Sequence, residues 1–422
     1  MFYTFFATFA SRMLHFPRLN APLLPLAVCL SAGIAIGGSS IAGIPVVGIF
    51  VGVVVLSLLV GRWPLIQSMG VWLCFLVLGM LIAPHEEERP HRYVRTETVI
   101  SPDDEGFNDL SHWQRLKVRA LQWRGQLVTK FRTLEGDKEA EAVLAAMVLG
   151  DKSALTRELR TTYSVSGASH ILALSGLHLS IIYLLLTRLT LGRRRFWLVQ
   201  VLVILAIWAF ALLTGLSTSI VRAAIMLTAY SLFSLGGRRH APLGVLSFTA
   251  ILMLLIDPHS LFDVGFQLSF MAMLGILLFC PLFERLVPVK WMMSHRPVNY
   301  LYELVGVSIS AQLGTAPLVA FYFGRFSTWF LLTNLIVVPL ATLILYAALT
   351  SFVIPALGSV TLWLAGTMNA ALGWVQALPL SSIEGLHPSL LQVAMIYVII
   401  AVLYLISYMR FSVPSYKNRL CL

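Results

Sequence analysis

Apolar stretches of bilayer-crossing length recur along this chain. A segment that enters lipid must satisfy its own backbone hydrogen bonds, which leaves the helix as the spanning element here. The stretches are, approximately, 21–37, 43–60, 64–82, 170–190, 196–214, 219–235, 241–256, 266–283, 304–320, 329–352, 356–378 and 390–409. Charged residues make up 12% of 422 positions, against about 25% in a soluble domain. The expected fold class is therefore all-α: a polytopic helical membrane protein of about eleven to twelve spans. The weakest span is 356–378, whose Trp363, Asn369 and Gln376 also suit a tilted or in-plane helix.

The net charge of +11 has two explanations, a polyanionic partner or the bias of Lys and Arg toward cytoplasmic loops, and charge alone favours the second. With the N-terminus inside, Arg12, Arg18, Arg62, the Arg193-Arg194-Arg195 run, Arg238-Arg239, the 285–296 loop and the tail with Arg410, Lys417 and Arg419 all fall inside. The opposite loops are neutral or acidic, and Arg325 is the one stray. The expectation is a cytoplasmic (inner) membrane protein with both termini inside. The 1–16 segment lacks a basic start and a small-residue cleavage site, so it does not read as a removable signal peptide. Cys29, Cys74, Cys280 and Cys421 are scattered and form neither a metal set nor a disulfide framework.

This orientation divides the chain into a three-span region (1–83), an external hydrophilic segment (84–139), a larger membrane domain (140–409) and a cytoplasmic tail (410–422). Within the external segment, 93–101 is strand-like. Over 111–134, Trp113, Leu116, Ala120, Trp123, Leu127, Phe131 and Leu134 recur at helical spacing among Arg115, Lys117, Arg119, Arg124 and Lys130. A basic amphipathic helix of this kind either lies in the membrane interface, with lipid as its partner, or packs on its own protein.

Polar residues inside spans are costly and mark interiors or water-filled paths. In this topology they crowd the outward half: His170, Ser175 and His178 on the fourth span, Gln267 and Ser269 on the eighth, Gln312 on the ninth and Asn334 on the tenth. Ser175-Gly176 is a point at which the fourth helix can break. Arg222 follows the outer 215–219 turn; snorkelling to the surface is its simplest explanation and guiding phosphates the sharper one. Asp263 is positioned to cap the eighth helix. Gly33 and Gly37, and Gly306, Ser310 and Gly314, are small residues at four-residue spacing that suit close helix packing. No G-x-x-x-x-G-K-[ST] phosphate loop occurs, no di-metal hydrolase cluster is present, and His170 with His178 makes no persuasive metal pair, so no cofactor or metal is expected.

Ordered motifs over about 140–348 resemble the ComEC-type competence family. They are Val148-Leu149-Gly150-Asp151, Ser164 to Gly167, His170, Leu172 to His178, and Gly215 through Arg222-Ala223-Ala224. They continue with Asp257-Pro258, Asp263 to Phe270, Ser310-Ala311-Gln312, Phe323 to Ser327 and Asn334 to Pro339. The resemblance implies a channel that passes transforming DNA inward as a single strand, without chemistry on it. His170, Ser175, Gly176, His178, Arg222, Asp263, Gln267, Ser269, Gln312 and Asn334 would line or gate the path. Implied partners are single-stranded DNA, a DNA receptor, a separate nuclease and a cytosolic ATP-driven motor. The external segment has too few strand candidates for the OB-like domain that family members usually carry, and no H-x-H-x-D-H signature of a metallo-β-lactamase-like nuclease is present. Strand degradation is then expected from another protein. Two other readings stand beside this one: a transporter of another anionic or lipid-linked solute, and an intramembrane serine hydrolase. The second rests on the likeness of Ala173-Leu174-Ser175-Gly176 to the G-x-S-G serine of rhomboid proteases.

Overall fold

A computed structural model describes residues 23–37, 64–84, 111–132, 136–189, 197–235, 242–286 and 296–412. The described chain is nearly all helix, as the apolar runs require: α1 (Leu23–Gly37), α2 (Pro64–Ile82), α3 (His112–Arg132), α4 (Lys138–Leu144), α5 (Arg157–Val165), α6 (Ser169–Leu172), α7 (Gly176–Leu189), α8 (Trp197–Leu213), α9 (Thr218–Leu235), α10 (Pro242–Ile256), α11 (Val264–Leu286), α12 (Arg296–Phe323), α13 (Phe330–Ser351), α14 (Leu357–Gln376) and α15 (Leu390–Ser412). Two three-residue strands, β1 (Arg325–Ser327) and β2 (Ser382–Glu384), pair antiparallel with Arg325 opposite Glu384.

Among the described residues four helical stretches, Val264–Leu286, Pro297–Phe323, Phe330–Ser351 and Leu390–Tyr408, are long and apolar enough to cross a membrane. Six further apolar helices among the described residues are shorter, so four of the expected spans are met at full length and the count of about eleven to twelve is not confirmed. The fourth expected span divides: α6 stops at Leu172, Ala173 is extended, and α7 begins at Gly176. The 356–378 stretch forms α14, which buries Thr361, Leu362, Ala365, Met368, Leu372 and Val375 on one face and exposes Trp363 and Trp374 on the other. The expected span over 43–60, the strand-like 93–101 stretch and several basic loops lie outside the described residues.

Small residues set the helix crossings. A Cβ added to Gly33 would lie 2.0 Å from the Leu76 carbonyl oxygen, and one added to Gly79 would lie 2.3 Å from that of Leu30, so α1 and α2 touch backbone to backbone. The same device joins α11 to α12. There a Cβ on Gly275 would meet Ser310 O at 2.4 Å and one on Gly314 would meet Met271 O at 2.1 Å. Where lipid surrounds a bundle, such contact replaces the water-driven burial that packs soluble helices.

The largest core is built around the short elements between residues 138 and 172. α4 runs into a π-helical turn, Ala145–Leu149, in which every residue is buried. These side chains pack with Phe131 of α3, Val337 and Ile344 of α13, and Met368 and Leu372 of α14. Gly150 ends the turn with φ 76°, a conformation that glycine adopts without steric cost. α5 is held on three sides. Its buried Tyr163 donates to Asn369 Oδ1 of α14 at 2.8 Å, the Ser166 carbonyl after it accepts from Thr333 Oγ1 of α13 at 2.7 Å, and Ser164 Oγ accepts from Arg325 Nη1 of β1 at 3.0 Å. Burial pushes the Tyr163 phenol pKa up, which keeps it a hydrogen-bond donor.

The amphipathic helix forms over almost the expected range, but its buried face is rotated from the expected stripe. Ala120, Val128 and Phe131 are buried, and the Phe131 ring centroid lies 5.3 Å from that of Phe352. Leu116 and Trp123 remain exposed.

Candidate functional site

The polar residues gather where several helices begin or end. α8 closes in a left-handed turn. Gly215 has φ 88° and Leu216 φ 53°, and the Leu216 N–H reaches back to Ala211 O at 2.9 Å. This six-to-one bond with glycine after the last helical turn is the Schellman ending, and it delivers the chain to the start of α9. On the adjoining side, Gly150 sits against Leu174 and the Thr214 carbonyl, and Gly176 faces Ala223 of α9. The break before α7, the end of α8 and the start of α9 therefore share one end of the bundle.

Ser175 and His178 form the first cluster. The Ser175 N–H donates to His178 Nδ1 at 3.3 Å, and Ser175 Oγ lies 3.0 Å from the same nitrogen. Ser175 immediately precedes the first residue of α7, and its carbonyl accepts from Leu179 N. His178 thus occupies the third helical position and reaches back to the capping residue, as Glu does in a capping box. A backbone N–H can only donate, so Nδ1 accepts and the ring proton resides on Nε2, which is buried with no hydrogen-bond partner among the described residues. In a serine hydrolase the second ring nitrogen is held by a carboxylate; among the described residues none is bonded to Nε2. The geometry is that of a helix cap, and a fluorophosphonate probe is expected to leave Ser175 unlabelled, as judged by mass spectrometry of the probe-treated chain. His170, one turn before the break, is exposed, and its Nδ1 lies 3.2 Å from Gly167 O.

Arg222 centres the second cluster. Only 4% of its side chain is accessible, so it does not snorkel to the surface as sequence alone suggests. It turns inward because partners await it there: Nη2 donates to Ser269 Oγ at 3.1 Å and to Ser219 Oγ at 3.4 Å, while Nη1 lies 3.9 Å from Asp263 Oδ1. Its Nε is buried with no hydrogen-bond partner among the described residues. Asp263 also accepts the Phe266 N–H at 2.7 Å, the helix-capping role expected of it. One carboxylate, 44% accessible, thus both caps α11 and faces the guanidinium. Gly265 admits this approach, since a Cβ there would lie 2.9 Å from Asp263 Oδ1 and 3.2 Å from Arg222 Nη2.

Gln267 extends this end toward α12. It donates to Leu261 O at 2.9 Å and accepts from the Tyr322 hydroxyl at 2.7 Å. Gln312 and Asn334 are half-buried on α12 and α13, and the structure brings neither into hydrogen bonding with the two clusters. Sequence reasoning passed over Tyr322, and it passed over the linkage of Arg325, which bonds Ser164 and sits 3.8 Å from Glu384. The available signal is that Arg325 is the one basic loop residue that the expected orientation leaves outside.

Residues 147–410, more than half of the chain, match the competence protein family. The chain belongs to that family. The match reaches beyond the motif-bearing stretch to include α14 and α15. ComE operon protein 3 of Bacillus subtilis (strain 168) is 29% identical over 240 residues, covering 56% of this chain and 29% of that protein. An uncharacterised protein of Aquifex aeolicus (strain VF5) is 33% identical over 198 residues, 47% of this chain and 44% of that one. The uncharacterised protein YcaI of Escherichia coli (strain K12) is 25% identical over 234 residues, 52% of this chain and 30% of its own length. The chain thus matches less than half the length of each of these relatives. No solved structure matches it.

Proposed function

We propose that this competence-family chain is a cytoplasmic-membrane channel that admits transforming DNA as a single strand. The observation that carries the reading is the convergence, at one end of a helical membrane bundle, of a broken helix with a buried arginine held by two hydroxyls and a carboxylate. In this reading that end faces outward, both termini are cytoplasmic, and the shorter apolar helices complete a set of about twelve membrane segments. Broken helices inside membranes are tolerated where protein or a cavity takes up the freed backbone groups. Arg222 offers a fixed cation that a passing phosphate can engage by exchanging with Asp263, and the exposed His170 stands beside the mouth. The chain conducts and performs no covalent step on the strand. A receptor, a separate nuclease and a cytosolic ATP-driven motor act around it.

The test is internalisation of fluorescent DNA into a nuclease-resistant pool. Deletion cells are expected to take up none, wild-type chain to restore uptake, and Arg222→Gln to restore it at least about tenfold less well. A charge-assisted hydrogen bond contributes about 1.5–3 kcal/mol, or about ten- to a hundredfold in an equilibrium. Normal DNA uptake in deletion cells, with altered import of another anionic or lipid-linked solute, would move the assignment to that solute.

A further inference from the structure

The loop 150–156, which joins the π-helical turn to α5, is tied down along its length. Gly150 turns the chain, Asp151 Oδ1 accepts from Ser153 N at 3.0 Å, Leu155 is buried, and Thr156 caps α5 by accepting from Leu159 N at 3.1 Å. The Lys152 carbonyl accepts twice, from Leu155 N at 3.3 Å and from Arg160 Nη2 at 2.9 Å. The second bond folds the Arg160 guanidinium back onto the loop, beside the Lys152 side chain. The surrounding protein and then the Arg160 charge push the Lys152 ammonium pKa below its usual value. Both residues are exposed, and among the described residues no carboxylate pairs with either. Arg157, three residues before Arg160 and so on the same side of α5, is exposed and has no ion pair among the described residues. Glu158, also exposed on α5, pairs with none of them. Like charges held together repel. A rigid loop that keeps two cations adjacent without a counter-charge therefore offers both to one anion.

Placement indicates which anion. A Cβ added to Gly150 would lie 2.5 Å from Leu174 Cδ1 and 3.4 Å from the Thr214 carbonyl oxygen. The loop therefore starts against the helix break and the end of α8. Near the other end of α5, Ser164 Oγ accepts from Arg325 Nη1 in the connection from α12 to α13, which the orientation proposed above puts outside. There the positive-inside bias gives no reason for unpaired cations. The negative surface potential that draws basic segments to lipid belongs to the cytoplasmic leaflet. What reaches this end in the reading above is the phosphodiester backbone of a strand, which cations follow without reading its bases.

We propose that Lys152 and Arg160 together grip a backbone phosphate of the single strand at the outer mouth, ahead of Arg222. The proposal rests on the reading of the chain as a DNA conduit.

The test uses the full chain in phosphatidylcholine nanodiscs, with fluorescent oligothymidylate and an abasic strand of equal length and charge, followed by anisotropy over a salt series. Lys152→Gln keeps the carbonyl that Arg160 bonds, so its thermal midpoint is expected to equal that of the wild type. Its affinity is expected to fall about fivefold at low salt, alike for both strands, with the log-log salt slope flattened by about 0.7 for the phosphate left without its cation. Arg160→Gln is expected to do the same, and Lys152→Arg to keep both affinity and slope. Wild-type affinity and slope in Lys152→Gln overturn the proposal, and so does a loss confined to oligothymidylate, which would mean contact with bases. The lipid alternative is read by native mass spectrometry in nanodiscs containing phosphatidylglycerol. Retention of that lipid by the wild type and its loss in Lys152→Gln, with oligothymidylate binding intact, overturns the proposal and assigns the two cations to a headgroup. Binding of both strands that ignores Lys152 and Arg160 overturns this site while the conduit reading stands, whereas failure of the wild type to bind either strand removes both.

Discussion

Asp263→Ala is expected to be among the most damaging single substitutions in this chain, and Asp263→Asn to separate its two causes. The wild-type carboxylate caps α11 through the Phe266 N–H and faces the buried guanidinium of Arg222. Asparagine caps about as well as aspartate, so Asp263→Asn loses chiefly the charge. Alanine loses both, and the missing cap alone costs about 0.5–2 kcal/mol. Removing one partner of a buried ion pair costs about 3–5 kcal/mol when both charges are buried. Asp263 is 44% accessible, and solvent screens it, so the lower part of that range or less applies. The orphaned charge is on the buried side, because among the described residues Arg222 then keeps the hydroxyls of Ser219 and Ser269. Thermal unfolding in nanodiscs should rank wild type above Asp263→Asn and Asp263→Ala last. Equal midpoints for wild type and Asp263→Asn would show that the ion pair contributes nothing beyond the cap.

Gly314→Val is expected to cause a comparable loss by a different route. The first added carbon alone would stand 2.1 Å from the Met271 carbonyl oxygen, a backbone atom that moves only if α11 moves with it. Overpacking usually costs about 1–3 kcal/mol, and the larger value suits a contact in which neither partner is a flexible side chain. The Tyr397 hydroxyl donates to the Gly314 carbonyl at 2.8 Å, so displacement of α12 also disturbs its seat against α15. Gly366 and Gly373 on α14 are the controls, because a Cβ at either meets nothing within 4 Å. Alanine at those positions is expected to be neutral or to stabilise by about 0.5–1 kcal/mol. A Gly314→Val chain with the thermal midpoint of Gly373→Ala would contradict the account of this crossing.

The parts of this fold that local chemistry decides are legible in the sequence. Ser175-Gly176 marks a helix break because glycine and serine weaken a helix wherever they fall, and Asp263 before an apolar run marks a cap for a reason equally local. Gly33 and Gly314 announce crossings by size alone. Arg222 is misplaced by sequence because its environment depends on Ser269, which lies 47 residues away, and no periodicity reports that pairing. The face of α3 is rotated for the same kind of reason. Its stripe reads Trp123 as inward, but the partner surface near Gly215 takes Leu121 and Arg124 instead. The π-helical turn at Ala145–Leu149 has the composition of an ordinary helix, and only the packing around it sets its wider turn. Arg325, a stray by the charge rule, finds its reason in Ser164 and Glu384, both distant in sequence.

The central claim is that the end holding Arg222 and the broken helix is where the strand passes. It is tested most directly by cross-linking during uptake. A chain whose native cysteines are replaced would carry a single cysteine at the exposed His170 position, or at Val398 on the exposed side of α15, each bearing an azidophenacyl group. Illumination while labelled DNA enters should join the strand to position 170 and leave position 398 unlabelled. Absence of cross-links at 170, or equal yields at both positions, would contradict the account.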